Sequence, residues 1–367
     1  MVQVFIPATF SISTWNNGLR RKDLFLHPYC FEHINGSCFR SLRPALINGA
    51  MYIFMSATIL ITLCGNLIVI IVISLFRQLH SPTNFLILSL ACVDFLLGAV
   101  VMPYSMVRSV EACWYFGELF CKIHSSFDMM MSIASVFHLC FISIDRYYAV
   151  CDPLRYKTKI TTSVVALFIA CSWLYAMSFY SFGLIFPKAN DEGLENVVPM
   201  LTCEGGCIIQ FNKLWSLLDA LTFVIPCFGM ICIYAQIFNV ARKQARQIQS
   251  RDFKIFSLDI SKQRAKRKRE QKAAKTLGIV MGVFLACWSP LFNDTVVDAY
   301  NNYQTPTTAF DGLIWLAYSN STFNPLIYGF FYPWFRKALK LIITFKIFQS
   351  HSSLIQLYKE SFCQRVE

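Results

Sequence analysis

Residues 121–154 read CKIHSSFDMMMSIASVFHLCFISIDRYYAVCDPL, a single long apolar helix with a lone acid, Asp128, near one end and a charged triplet, Asp145-Arg146-Tyr147, near the other. Asp128 and Arg146 are eighteen residues apart. At 3.6 residues per turn that is five whole turns, so the two share one face with roughly 27 Å of rise between them. A carboxylate near one bilayer surface, in line with a guanidinium near the other, connects two compartments along one rod.

Composition points to the same setting. The 367 residues are 56% hydrophobic and 15% charged, with a mean hydropathy of +0.48, which is too apolar for a fully solvated surface. Seven windows are long enough to cross a hydrocarbon core of about 30 Å, which takes roughly 20 apolar residues. They are 49–76, 82–110, 118–151, 162–184, 211–243, 270–299 and 309–332. All are expected to be helices, because lipid tolerates only helices or closed barrels and these windows are too long for barrel strands. The expected fold is an all-α membrane protein: a seven-transmembrane helix bundle over 49–332, an outer tail over 1–48, a short amphipathic eighth helix over 333–346 and an inner tail over 347–367.

The net charge of +12 gathers in particular loops. Arg77, Arg155, Lys157, Lys159, the run from Lys262 to Lys275, and Arg336, Lys337 and Lys340 all fall on one side; Glu111, Glu118, Asp191, Glu192 and Glu195 fall on the other. The positive-inside rule makes the basic side cytoplasmic and the N-terminus extracellular. Arg20, Arg21, Lys22, Arg40 and Arg43 oppose this, but a long tail weighs less than short loops. Juxtamembrane basic residues meet anionic lipid or a cytoplasmic partner, so nucleic acid is not the partner expected of the basic run.

The first 48 residues lack a basic segment followed by a compact apolar core, so no cleaved signal peptide is expected. Asn35-Gly36-Ser37 is a glycosylation sequon, consistent with an external tail. Of fifteen cysteines, about half lie inside spans, where a small buried hydrophobe is the default reading. Outside them stand Cys30, Cys38, Cys113, Cys203, Cys207 and Cys363, with Cys121 at the outer start of the third span. An oxidising exterior allows disulfides there, and Cys121 is expected to pin an outer loop over the bundle mouth; sequence alone leaves the pairing open.

Polar groups inside spans are costly and call for a partner or a function. Asn66, Asp94, Ser135, Asn320, Ser321 and Asn324 form such a set. One carboxylate among neutral oxygens suits a small hard cation such as sodium, or a proton-and-water network; a satisfied network that joins helices without an ion is the alternative. Pro103, Pro226, Pro290 and Pro325 each remove a backbone hydrogen bond inside a span and make hinges.

Asn66, Leu90-Ala91-Cys92-Val93-Asp94, Asp145-Arg146-Tyr147, Trp173, Pro226 with Tyr234, Cys287-Trp288-Ser289-Pro290 and Asn324-Pro325-Leu326-Ile327-Tyr328 occur one per span and in order. They resemble the signatures of rhodopsin-like G-protein-coupled receptors over roughly residues 45 to 346. Within that class, Asn320 to Pro325 followed by Phe331 to Ala338, together with His80-Ser81-Pro82-Thr83-Asn84-Phe85, Cys113-Trp114-Tyr115-Phe116-Gly117 and Lys272 to Gly278, are similar to the trace amine-associated receptors. That resemblance implies a bridge from Cys121 to Cys207 and a second from Cys30 to Cys203. It also implies coupling to a stimulatory G protein with a rise in cyclic AMP, in olfactory neurons.

The resemblance gives Asp128 a role that the residues support independently. A carboxylate about two turns below Cys121, in a low-dielectric pocket, attracts a ligand ammonium; pairing with Arg108 at the outer end of the second span is the alternative. Tyr318 is expected to hold the carboxylate, and Trp288, Phe292 and Trp315 to offer aromatic faces that favour an ammonium, with Met129 and Ser132 beside Asp128 completing the ligand set. Asp219 lies two turns outward of Pro226, among Leu218 and Thr222, where receptors for catecholamines carry serines. Two carboxylates on helices whose axes are roughly 8–10 Å apart suit an aliphatic diamine. Leu291, where many aminergic receptors have an aromatic, turns the pocket toward alkyl amines, although an aryl monoamine remains the alternative. Asp298 and Asp311 are expected nearer the surface and solvated, drawing cations to the mouth.

On the inner side, Glu270 and Trp288 are again eighteen residues apart, so the sixth span repeats the geometry of the third. An Arg146–Glu270 ion pair is expected to tie the inner ends at rest, with Asp145 as the arginine's local alternative. Ligand contacts at Trp288 then pivot the helix about Pro290, and Tyr234, Asn324, Pro325 and Tyr328 join the switch. Pro153-Leu154 and the basic segment from Ala241 to Lys275 are the expected docking surface for a G protein. A transporter should show internal repeats and paired broken helices, and neither is seen. An enzyme needs a nucleophile with its base or a metal cluster, and the six histidines are scattered.

Overall fold

The computed structural model describes residues 29–40, 43–185, 203–207, 212–250, 258–301 and 303–344; within these, the side chains of 179, 180, 182–185, 244–250, 258–271, 273, 333 and 334 are not described. Seven long helices are found among the described residues: α1 (Ala45–Leu75), α2 (Pro82–Glu111), α3 (Glu118–Cys151), α4 (Thr162–Ile185), α5 (Lys213–Ser250), α6 (Leu258–Tyr300) and α7 (Thr307–Phe331). A shorter α8 spans Pro333–Ile343. Five are long and apolar enough to cross a membrane: α1, α2, α3, α5 over Lys213–Lys243 and α6 over Ala274–Tyr300.

Local chemistry sets several ends. Ser81 caps α2 by accepting the Asn84 N–H, with Pro82 at the first helical position where no donor is needed. Within α2, residues Leu97–Val101 form a π-turn just ahead of Pro103, and the widened turn absorbs the proline's missing donor. Pro226, Pro290 and Pro325 lie inside α5, α6 and α7. α5 and α6 run well past the apolar windows at the Arg146 end, so the basic run from Lys262 is itself helical.

The long α3 packs against α2, α4, α5 and α6, which makes it the central post. The core divides into a cluster around Phe284, Trp288 and Tyr328 and another around Val101, Met131, Trp315 and Tyr318. At the α1–α7 seam, a Cβ on Gly65 would stand 2.5 Å from Pro325 Cγ, so only glycine lets the backbones approach this closely. Thr62 and Thr322 share a 2.7 Å hydrogen bond beside it.

Candidate functional site

A cavity of about 470 Å³ opens at one end of the bundle between α2, α3, α5, α6 and α7. Asp128, Met129 and Ser132 line it from α3, Asp219 from α5, Trp288 and Phe292 from α6, and Tyr318 from α7. Asp128 Oδ2 accepts the Tyr318 hydroxyl at 2.6 Å, and Ser132 donates to the Asp128 carbonyl at 2.9 Å. Asp219, one helix away, is 9% exposed, and Thr222 donates to its carbonyl at 2.7 Å. Phe223 and Phe292 stack at 4.2 Å, and the Trp288 ring lies 6.0 Å from Phe292, so the two rings that line the cavity, Trp288 and Phe292, belong to one aromatic cluster.

Two expectations need correction here. Trp315 does not line the cavity: its indole N–H donates to Ser109 Oγ at 3.2 Å, which turns the ring toward α2 and leaves it 5% exposed. Asp311 is not a solvated mouth residue: its side chain is 21% exposed, accepts the Ser109 hydroxyl at 2.9 Å and lies 3.9 Å from Arg108. Asp311 thus draws on the guanidinium that was the rival partner for Asp128. Asp298 lines the mouth and accepts the Thr305 N–H at 2.7 Å, fixing the α6–α7 turn.

The roof of the cavity was expected only in part: the Cys121–Cys207 bridge is present as expected, and the tail hairpin beside it is what sequence reasoning missed. Residues 29–40 form a hairpin, with Tyr29 paired to Phe39 and Ser37 to Glu204. Two disulfides hold it, Cys30–Cys113 and Cys38–Cys203, and a third, Cys121–Cys207, ties the 203–207 segment to α3, with Cα separations of 5.6, 5.0 and 5.7 Å. The expected Cys30–Cys203 bridge is therefore replaced. Hairpin register is the reason: the Cys38 N–H donates to the Glu204 carbonyl, which sets Cys38 beside Cys203, and Cys30 is left facing Ala112 and Cys113. Gly205, at φ +93, passes so close that a Cβ would meet Cys30 Cβ at 2.7 Å, so only glycine fits. Phe39, Arg40 and Arg43 reach the cavity from this tail; Arg40 pairs with Glu111, and Arg43 donates to the Ser109 carbonyl at 2.7 Å. The signal for this roof was the spacing of Cys30 and Cys38 around the sequon. Asn35 itself is exposed at the hairpin turn.

Residues 65–328 match the 7 transmembrane receptor (rhodopsin family). The chain is similar to trace amine-associated receptor 4 of Mus musculus, 53% identical over 331 residues, which cover 90% of this chain and 95% of that receptor. It is 52% identical to trace amine-associated receptor 1 of Homo sapiens over 91% of this chain and 98% of that receptor, and 47% identical to trace amine-associated receptor 13c of Danio rerio over 90% and 96%. The chain belongs to the trace amine-associated receptors. It is thus a G-protein-coupled receptor of the rhodopsin family, a multi-pass plasma-membrane protein and not an enzyme, and its class takes a small-molecule ligand and a heterotrimeric G protein.

The opposite end of this trace amine-associated receptor carries Asp145-Arg146-Tyr147. Asp145 is fully buried and accepts from Thr83 Oγ1 at 2.8 Å, Tyr156 Oη at 3.0 Å and Arg146 Nε at 2.8 Å. Arg146 also donates to Thr83, so α2, α3 and the helical turn Tyr156–Lys159 meet on one buried ion pair. Arg146 is held by its local alternative; the side chain of Glu270, its other expected partner, lies outside the described residues. Tyr147 packs with Val150, Ile237, Ala274 and Tyr234, and the Tyr234 ring would lie 3.5 Å from a Cβ on Gly278. Leu154, beside Pro153, is 93% exposed.

Between the two ends lies the polar set. Asp94 accepts from Ser321 Oγ at 2.7 Å and Asn324 Nδ2 at 2.8 Å, while Asn66 donates to the Ser321 carbonyl at 3.1 Å. Ser135 Oγ, both polar atoms of Asn320, Asn324 Oδ1 and the Tyr328 hydroxyl are buried without a hydrogen-bond partner. Buried orphan oxygens around a single carboxylate fit a hard cation such as sodium, with Asp94, Ser135, Asn320, Ser321 and Asn324 as the residues that would hold it. Among the described residues no cluster of three His, Cys, Asp or Glu side chains offers a transition-metal site.

Proposed function

We propose that this receptor is activated by a small aliphatic amine, with Asp128 seating one ammonium and Asp219 a second, so that diamines are its preferred class. The observation that carries this reading is that Asp128 and Asp219 line the same cavity of about 470 Å³. A dication offsets the repulsion between two carboxylates in a low-dielectric site, and the Trp288 and Phe292 faces favour a cation. Leu291 lines the wall and narrows the slot for a flat ring.

The remaining parts of the proposal follow from this site. The disulfide-bearing roof suits the oxidising exterior, which supports an extracellular N-terminal tail carrying the Asn35 sequon and a cytoplasmic Arg146 end. α4 and α7 complete seven spans, and α8 lies along the inner leaflet. Ligand contacts at Trp288 pivot α6 about Pro290, release Arg146 and open a cleft beside Pro153-Leu154 and the basic end of α6, where a stimulatory G protein docks. Cyclic AMP then rises, in olfactory neurons. A sodium ion, where bound, would be held by Asp94, Ser135, Asn320, Ser321 and Asn324 and would supply the charge that balances the Asp94 carboxylate.

A cyclic AMP screen of matched n-alkylamines and α,ω-diamines, from propyl to octyl, tests the proposal. Asp128→Ala should abolish every response at unchanged surface expression, and Asp219→Ala should cost a diamine at least roughly ten-fold more than the matched monoamine. Retained potency in Asp128→Ala rejects the site. Equal losses in Asp219→Ala leave an aryl or alkyl monoamine on Asp128 alone, a reading to which the Phe223–Phe292 stack is also suited.

A further inference from the structure

Behind the cavity wall, a hydrogen-bonded chain leads away from Asp128. Tyr318 donates to Asp128 Oδ2 at 2.6 Å, Ser105 Oγ lies 3.1 Å from the Tyr318 hydroxyl, and His124 Nε2 lies 3.4 Å from Ser105 Oγ and 3.1 Å from the Val101 carbonyl. The two ends fix the direction of every proton. A carboxylate only accepts, so the Tyr318 proton is committed to Asp128. The Tyr318 oxygen must then accept from Ser105, which commits the one proton of that hydroxyl. A carbonyl also only accepts, so His124 Nε2 carries a proton, which it shares between Val101 and Ser105. Tyr318 and Ser105 both donate toward the carboxylate, the arrangement in which each bond polarises the next, and the His124 N–H, shared with the nearer Val101 carbonyl, closes the chain.

We propose that Ser105 and His124 are positioning residues for the ligand amine: acting through Tyr318, they fix its hydroxyl as a donor to Asp128 Oδ2 and so hold Oδ1 toward the ammonium. This rests on the reading of Asp128 as the amine's seat. Ser105, Tyr318 and His124 are 0%, 1% and 2% exposed, so water does not replace a missing link. Neither Ser105 nor His124 lines the cavity, so their influence on a ligand passes through Tyr318. The far end of the chain is anchored twice. Val101 closes the π-turn of α2, and the His124 ring packs 5.1 Å from Trp114, in the aromatic cluster beside the Cys121–Cys207 bridge. The seat of the amine is thereby registered against the disulfide-bonded roof.

The test is a double-mutant cycle on the full-length receptor in cells, read by cyclic AMP dose–response to the most potent n-alkylamine of the propyl-to-octyl series, with surface expression measured in parallel. Ser105→Ala and His124→Phe should each weaken potency by roughly three- to ten-fold, the span of one lost hydrogen bond. In a Tyr318→Phe background neither should add a further loss, because the chain is already cut. Ser105→Thr, which keeps the hydroxyl, should restore wild-type potency. Equal losses in both backgrounds, or a Ser105→Thr as poor as Ser105→Ala, overturn the proposal, since a purely structural role predicts additivity. If Ser105→Ala does not reach the surface, the His124→Phe cycle decides. Asp128→Asn separates the two readings: if it keeps full potency the seat itself is wrong and the relay falls with it. If it loses potency while Ser105→Ala and His124→Phe do not, the relay alone fails.

Discussion

The two ends of this bundle are held by different means. At the cavity end, three disulfides and a tail hairpin join residues as far apart in sequence as Cys38 and Cys203, and the proposed amine seats lie in the cavity beneath that frame. At the Arg146 end, no disulfide occurs among the described residues; one buried ion pair is tied by Thr83 and Tyr156. Covalent closure keeps a geometry whatever the ligand does. A hydrogen-bonded latch is undone by a few kcal/mol, the amount a ligand's preference for one state over another can supply. A receptor needs both: a recognition site that keeps its shape, and a far end with two arrangements.

The sharpest way to break this comparison is to cut the frame. Cys38→Ser with Cys203→Ser opens a loop of 165 residues, and loss of a native disulfide costs about 2–5 kcal/mol. The purified variant should lose amine binding at a markedly lower temperature than the wild type and reach the cell surface in smaller amounts. Unchanged thermal tolerance would show that the roof is held by its hydrogen bonds instead.

Replacing Thr83 by Val should have an intermediate effect, at the other end. The Thr83 hydroxyl donates to Asp145 and accepts from Arg146, so its loss removes two links while volume is kept. Basal guanine-nucleotide exchange in membranes should rise by roughly three- to ten-fold, with little change in amine affinity or thermal tolerance. A variant that loses thermal tolerance as much as the disulfide pair would erase the distinction between the two ends.

How much of this was legible in the sequence follows from the physics each feature depends on. The seven long helices were readable because lipid imposes length and apolarity on each segment separately. Their full extents were not: an apolar window detects contact with lipid, whereas α5 to Ser250 and α6 from Leu258 continue as helices beyond it. The Asp128–Tyr318 contact was legible from chemistry, since a buried carboxylate needs a donor. Trp315 was misplaced because it lies three residues from Tyr318 on one helical face, and the sequence does not show that Ser109, on another helix, takes its N–H. The Arg108–Asp311 pair and the Cys30–Cys113 bridge depend on the register between segments that meet only in the folded bundle. The role of Ser105 is hidden for the same reason, since its partners come from α3 and α7.

The smallest predicted effect belongs to Tyr156→Phe, and it sharpens the comparison most finely. The phenol donates to Asp145 Oδ1 at 3.0 Å, but without it Asp145 still has Thr83 and Arg146, so the latch is loosened and not opened. Because the carboxylate keeps two other donors, loss of this one hydrogen bond predicts a rise in basal exchange of roughly two-fold. Burial, with the Asp145 charge beside it, pushes the Tyr156 phenol up from 10 to about 12. A raised pKa of this sign means that the contribution is fully present below about pH 10 and is lost only as the pH climbs through about 12. The difference between Tyr156→Phe and wild type should therefore stay constant from pH 6 to pH 9. If the difference shrinks toward pH 9, the phenol is losing its proton in that window and is not held in the buried latch; a constant difference supports the assignment of Tyr156 as a fixed donor at the end that moves.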